Sequence, residues 1–79
     1  MSKKSESDRS RLAVLRKGIE RTPIWNSPEV QEAFDYSWLH GDEIVVVVDF
    51  YIDASGIPLF KVVSRGEVGW VLKEKLRIL

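Results

Sequence analysis

Phe60-Lys61-Val62-Val63-Ser64-Arg65-Gly66-Glu67-Val68-Gly69-Trp70-Val71-Leu72-Lys73-Glu74-Lys75-Leu76 is the stretch that decides the fold of this chain. Aromatic and β-branched residues fill Phe60 to Val63 and return in Glu67 to Leu72, with Arg65-Gly66 between them as a tight turn. Lys73-Glu74-Lys75 suits a single helical turn, and Leu76 to Leu79 a short last strand. A hairpin, a one-turn helix and a short return strand are how small β-barrels close.

Working outward, Gly41-Asp42-Glu43 opens the strongest strand of the chain, Ile44-Val45-Val46-Val47-Val48-Asp49-Phe50-Tyr51-Ile52. Asp53-Ala54-Ser55-Gly56 is a turn in which Gly56 takes positive φ, and Ile57 to Val63 returns antiparallel. Further upstream, Gly18 to Trp25 fits an edge strand bent near Pro23, a residue that cannot donate to a ladder. Residues 26–40 show no clean alternation and read as a long loop folded over one face, ordered by Phe34, Tyr36 and Trp38. Arg11-Leu12-Ala13-Val14-Leu15-Arg16 fits either one or two helical turns or an extended lead-in. Residues 1–10 are too polar to repay the entropy of ordering and are expected to be flexible. The division that follows is a flexible basic arm over 1–15 and a five-stranded all-β barrel over 16–79.

At 79 residues the chain holds one core at most, and a domain of this size buries only about 60% of the surface its unfolded chain exposes. Cysteine is absent and His40 is the sole histidine, so disulfides, thiolate chemistry and Cys/His zinc sites are excluded. No metal and no cofactor are expected. Neither a run of about 20 apolar residues nor the apolar core of a signal peptide is present, which makes a cytoplasmic location without membrane contact the expectation. The net charge of zero conceals a division. Residues 1–21 carry seven basic residues against three acidic, net +4, whereas residues 22–79 carry five against nine, net −4.

The ordered set Ser27-Pro28, Leu39, Gly41-Asp42, Ile44-Val45-Val46, Phe60-Lys61-Val62, Gly66, Gly69-Trp70-Val71 and Leu76 resembles the bacterial Src-homology-3 domain, over residues 17 to 79. The resemblance implies a Src-homology-3-like five-stranded barrel. Two positions depart from the family pattern, Pro23-Ile24-Trp25-Asn26 in the first strand and Pro58-Leu59-Phe60 before the third. Both shape the ligand groove in members that bind cell-wall peptides, so the fold is carried over and the wall ligand is not.

Trp25, Tyr36, Trp38, Tyr51, Phe60 and Trp70 are the aromatic candidates for a ligand face. A face shared by Tyr36, Trp38 and Trp70 would be similar to the groove in which eukaryotic relatives hold extended peptide; for Trp70, set between glycine and valine, plain packing is the competing role. Glu29, Glu32, Asp35, Asp42 and Glu43 lie in or beside the long loop, where Glu32, Asp35 and Glu43 would select basic residues of a ligand; the alternative is a charged rim that keeps the loop soluble. Asp42 is also placed to accept a backbone hydrogen bond at the turn after Gly41. Asp35 and His40 invite an acid–base reading, but no nucleophile is positioned beside them and no glycine-rich phosphate loop exists, so no catalysis is expected. The expected role is a non-enzymatic interaction module of a bacterium or phage, binding a protein or peptide, as a monomer or weak homo-oligomer. Two alternatives stand beside it. One is a small-barrel nucleic-acid-binding protein using Lys3, Lys4, Arg9, Arg11, Arg16 and Lys17 on the arm; the other is an accessory subunit that pairs the Ile44–Ile52 strand edge with a larger assembly.

Overall fold

The computed structural model describes residues 11–29 and 35–79. They form seven strands and one 3-10 turn: β1 (Arg11–Leu15), β2 (Arg21–Trp25), β3 (Tyr36–His40), β4 (Val45–Ile52), β5 (Pro58–Ser64), β6 (Glu67–Leu72), the turn Lys73–Lys75, and β7 (Leu76–Ile78). All pairings are antiparallel, in the order β3-β2-β6-β5-β4-β1-β7. Leu39 of β3, at one edge, and Leu76 of β7, at the other, belong to one buried cluster with Ala13, Leu15, Ile24, Val45, Val47, Val62 and Val71. Laid flat, seven strands at about 4.8 Å spacing would hold those edges about 29 Å apart. The sheet therefore curls around a single core to which every strand contributes an inward side chain.

The chain is all-β, as expected, but with seven strands rather than five. Residues 11–15, assigned with the arm at the sequence level, are a strand between β4 and β7, with Ala13 and Leu15 buried. Their side chains suit a helix equally well; long-range pairing with Val45–Val47 and Leu76–Ile78 decides the outcome. The second addition is β3, which occupies the end of the expected loop and pairs with β2 from Arg21↔His40 to Trp25↔Tyr36. The sheet edge is thus β3, and β2 lies between β3 and β6. Pro23 is tolerated there because the ladder bonds to β3 flank it: Asn26 N–H donates to Asp35 O and Gly41 N–H to Glu20 O, which aims the position 23 nitrogen away from β3. On the β6 side the pairing is limited to Trp25↔Trp70. Likewise β4 pairs with β5 from Val46 to Ile52, but among the described residues β1 covers its other side only over Val45–Val47, so the strand edge expected to meet another assembly is partly covered.

The register of β4 shifts between Val47 and Asp49, leaving Val48 as an extra residue. The shift changes which side chains face inward. Val45 and Val47 point to the core, but beyond the bulge Phe50 pairs with Phe60 on the inner face while Tyr51 is turned outward opposite Leu59. Without the bulge, strict alternation from Val45 and Val47 would send Asp49 and Tyr51 into the core.

Local chemistry fixes the turns. Arg65 (φ 53°) and Gly66 (φ 80°) are both left-handed, as a two-residue hairpin connection requires. In the β4–β5 turn the buried Asp53 accepts the Ser55 and Ile57 amides at Oδ1, at 2.8 and 2.9 Å, and Gly56 has the anticipated positive φ. Lys73–Lys75 is the expected helical turn, in 3-10 form. No helix among the described residues is long and apolar enough to cross a membrane.

Candidate functional site

Alternation along four strands gathers aromatic rings on the outer face of the sheet. In β2, Thr22 and Ile24 are buried, which leaves Arg21, Pro23 and Trp25 outside. In β3, Leu39 is buried and Tyr36, Trp38 and His40 face out; in β6, Gly69 and Val71 are buried and Trp70 faces out. The cross-strand pairs then set Tyr36 opposite Trp25 and Trp25 opposite Trp70. Tyr36 and Trp38 meet edge to face at 5.4 Å between centroids, and the Tyr51 ring lies 5.7 Å from that of Trp70. The result is a stripe, Trp38–Tyr36–Trp25–Trp70–Tyr51, running across β3, β2 and β6 and over β5 to β4, with ring contacts at its two ends and Trp25 joined to both by backbone register. Tyr36 (56% exposed) and Tyr51 (37%) offer open surface, and the three tryptophans are half-buried.

Two cations lie along the stripe. The Arg21 guanidinium is 4.1 Å from the Trp38 ring centroid, and Lys61 Nζ is 5.9 Å from that of Trp70. At the Tyr36 end a cleft of about 240 Å³ opens between the Trp25–Asn26 and Asp35–Tyr36 ends of the paired β2 and β3 and the β5–β6 turn, lined in part by Trp25, Asp35, Tyr36, Arg65, Glu67 and Val68. It forms because β2 and β6 are bridged at a single pair and diverge beyond it. The face thus presents aromatic rings, flanking cations and a recess at the Tyr36 end.

The structure brings together Tyr36, Trp38 and Trp70, the three aromatics expected to share a face, and adds Trp25 and Tyr51. Phe60 is on the inner face against the core. The acidic candidates divide. Asp35 is exposed beside Tyr36 and lines the cleft. Glu43 is already engaged within the chain: Oε1 accepts the His40 amide at 3.0 Å, and Oε2 pairs with Arg65 Nη1 at 3.0 Å. Arg65 also donates to the Trp38 carbonyl at 3.4 Å, so this pair caps the outer edge of β3. The turn role anticipated for Asp42 thus falls to Glu43. Glu29 is engaged in the same way, accepting from Tyr51 Oη at 2.6 Å and from the Ala54 amide at 3.2 Å, which pins residues 26–29 against the β4–β5 turn. Glu32 lies outside the described residues.

Of the basic candidates for nucleic acid, Lys3, Lys4 and Arg9 lie outside the described residues. Arg11, Arg16 and Lys17 are exposed on β1 and the turn after it, next to β4 and β7 rather than on the strands that carry the stripe, and Arg16 Nε donates to the Glu74 carbonyl at 2.9 Å. Asp35 and His40 flank opposite ends of β3, too far apart along the strand to act as one acid–base pair. Among the described residues no group of three or more His, Cys, Asp and Glu is arranged to hold a metal ion. Comparison with known proteins matches the chain to no family model, no curated protein and no solved structure.

Proposed function

We propose that the chain is a non-enzymatic protein-interaction module that holds an extended protein or peptide segment along the outer aromatic stripe. The carrying observation is the stripe itself. Five rings from four strands share one face although the same residues, turned inward, would have enlarged the core of a small domain that needs one. Rigid aromatic rings supply contact area at low entropic cost, which is why they dominate the energetics of interfaces.

The barrel type we assign is Src-homology-3-like. With the β2–β3 hairpin treated as an elaboration of the long excursion between β1 and β4, five strands remain, in the order β7-β1-β4-β5-β6. Gly41-Asp42 precedes the long aliphatic strand, and Gly69-Trp70-Val71 precedes the 3-10 turn and the last strand, as in the sequence resemblance. Asp35, exposed at the cleft, is the acidic residue best placed to meet a basic side chain of the partner; Glu43 would have to release Arg65 first.

Substituting Trp38→Ala tests the assignment. Trp38 sits half-buried on an edge strand, so its loss should abolish partner binding and leave the melting curve nearly unchanged. A large loss of stability with binding retained would make Trp38 a structural residue. The stacking of Arg21 on Trp38 and the position of Lys61 over Trp70 favour a second reading, a platform for single-stranded nucleic acid on the same face. Binding that vanishes on nuclease treatment or between low and high salt would select it.

A further inference from the structure

Among the described residues, the inner face of the sheet opens at the end where β1 begins. Among the described residues β1 pairs with β4 up to Arg11↔Val47, while β4 runs on past the Val48 bulge to Ile52. The inner side chains beyond that point, Phe50 and Phe60, and Ile78 of β7, border an opening that no described strand covers. Together with Val47 they line a cavity of about 390 Å³, within the range of about 300 to 1,000 Å³ typical of small-molecule sites. The walls are apolar and aromatic: the Phe50 and Phe60 rings are 5.9 Å apart, and Phe50 remains 47% exposed.

The lining carries one basic and one acidic residue, Arg11 and Asp49, and Lys73 lies beside it. Arg11 shares the inward parity of Ala13 and Leu15, lines the mouth, and has no hydrogen-bond or ion-pair partner among the described residues. Lys73 Nζ lies 5.6 Å from the Phe50 ring centroid. The one carboxylate at the rim, Asp49, accepts the Phe50 amide at 2.7 Å and pairs in register with Lys61 rather than with Arg11. An apolar well under a guanidinium that makes no ion pair with a described residue is complementary to an amphipathic anion, and the planar fork of arginine matches a carboxylate. The preceding segment of the chain is a poor occupant, because residues 1–10 hold one apolar residue, Met1.

The geometry points to a second binding site at this mouth, for a medium-chain fatty carboxylate whose tail enters between Phe50, Phe60 and Ile78 and whose head group pairs with Arg11. It is separate from the aromatic stripe, which is on the opposite face of the sheet.

The test is a nuclear magnetic resonance titration of the full-length, isotope-labelled chain with hexanoate, octanoate and decanoate, and with octanol and octyltrimethylammonium as head-group controls. Octanoate should shift the Val47, Val48, Phe50, Phe60 and Ile78 amides saturably. Each added methylene should tighten binding by up to about fourfold until the mouth is full. Octanoate should bind about tenfold more tightly than octanol, and Arg11→Gln should erase that preference without changing the octanol affinity, with Arg11→Lys restoring part of it. Equal affinity for octyltrimethylammonium, no dependence on chain length, or shifts confined to Tyr36, Trp38 and Trp70 would each overturn the proposal. So would contacts of residues 1–10, or of a second copy, with Phe50 and Phe60 in the ligand-free protein.

Discussion

Substituting Gly69→Ala should unfold the seam where β2 crosses β6, and the reason is steric. Gly69 faces inward from β6, and a Cβ built there overlaps Cγ2 of Ile24 and stands 3.0 Å from the Trp25 carbonyl oxygen. Ile24 is 9% exposed and locked in the core cluster, and the carbonyl belongs to the only residue of β2 paired with β6, so neither neighbour can swing aside. Overpacking of this kind costs about 1 to 3 kcal/mol, and contact with backbone argues for the upper end. Alanine recovers about 0.5 to 1 kcal/mol of the backbone entropy that glycine loses in a strand, leaving a net loss of about 2 kcal/mol. For a domain of this size that lowers Tm by about 8 to 16 °C. Urea unfolding followed by tryptophan fluorescence is the assay, since Trp25 and Trp70 flank the seam. A double-mutant cycle with Ile24→Ala, itself costing about 2 to 4 kcal/mol, should show a favourable coupling of at least about 1 kcal/mol. A Gly69→Ala variant within 0.5 kcal/mol of wild type (the scale of about ±0.5 kcal/mol seen for unremarkable surface changes), or a strictly additive cycle, would refute the packing described for this crossing.

Two further substitutions probe buried polar groups. Thr22 is 1% exposed and its Oγ1 has no hydrogen-bond partner; Thr22→Val, which keeps the shape and removes the orphaned hydroxyl, should raise stability by about 1 kcal/mol in chemical denaturation, and a loss of that size would mean the hydroxyl is satisfied in solution. Asp53→Ala removes the acceptor of two turn amides and should cost about 1 to 3 kcal/mol. Asp53→Asn, which keeps an oxygen at the same place, should cost less than half as much, and equal losses for the two variants would show that charge rather than hydrogen bonding holds the turn.

Most of the sheet is legible in the residues. The run Ile44–Ile52 is too β-branched to be anything but a strand, and Arg65-Gly66 between two such runs dictates a hairpin whose second strand has the expected bounds, Glu67–Leu72. What escapes the sequence depends on distant partners. Four of the five residues Arg11–Leu15 are good helix formers, and the segment becomes a strand through β4 and β7. In β3 the aromatic residues face outward and Ser37 shares the inward parity with Leu39, which reverses the usual hydrophobic-in alternation and hides the strand. The site follows the same rule. Tyr36, Trp38 and Trp70 were visible as candidates, but the inclusion of Tyr51 depends on the Val48 bulge, and that of Trp25 on its simultaneous pairing with Tyr36 and Trp70. Nor does composition reveal that Glu29 and Glu43 spend their carboxylates inside the chain.

All three tryptophans of the chain lie on the stripe, so their indole N–H resonances report on it directly. The decisive measurement captures partners from native lysate on the full-length chain at two salt concentrations, with and without nuclease, and adds the recovered protein to labelled chain while the Trp25, Trp38 and Trp70 indole signals are followed. A partner that survives nuclease and shifts all three, and no longer binds Trp38→Ala, is the predicted result; a partner that binds without moving any of them would contradict the assignment of the stripe as the interaction face.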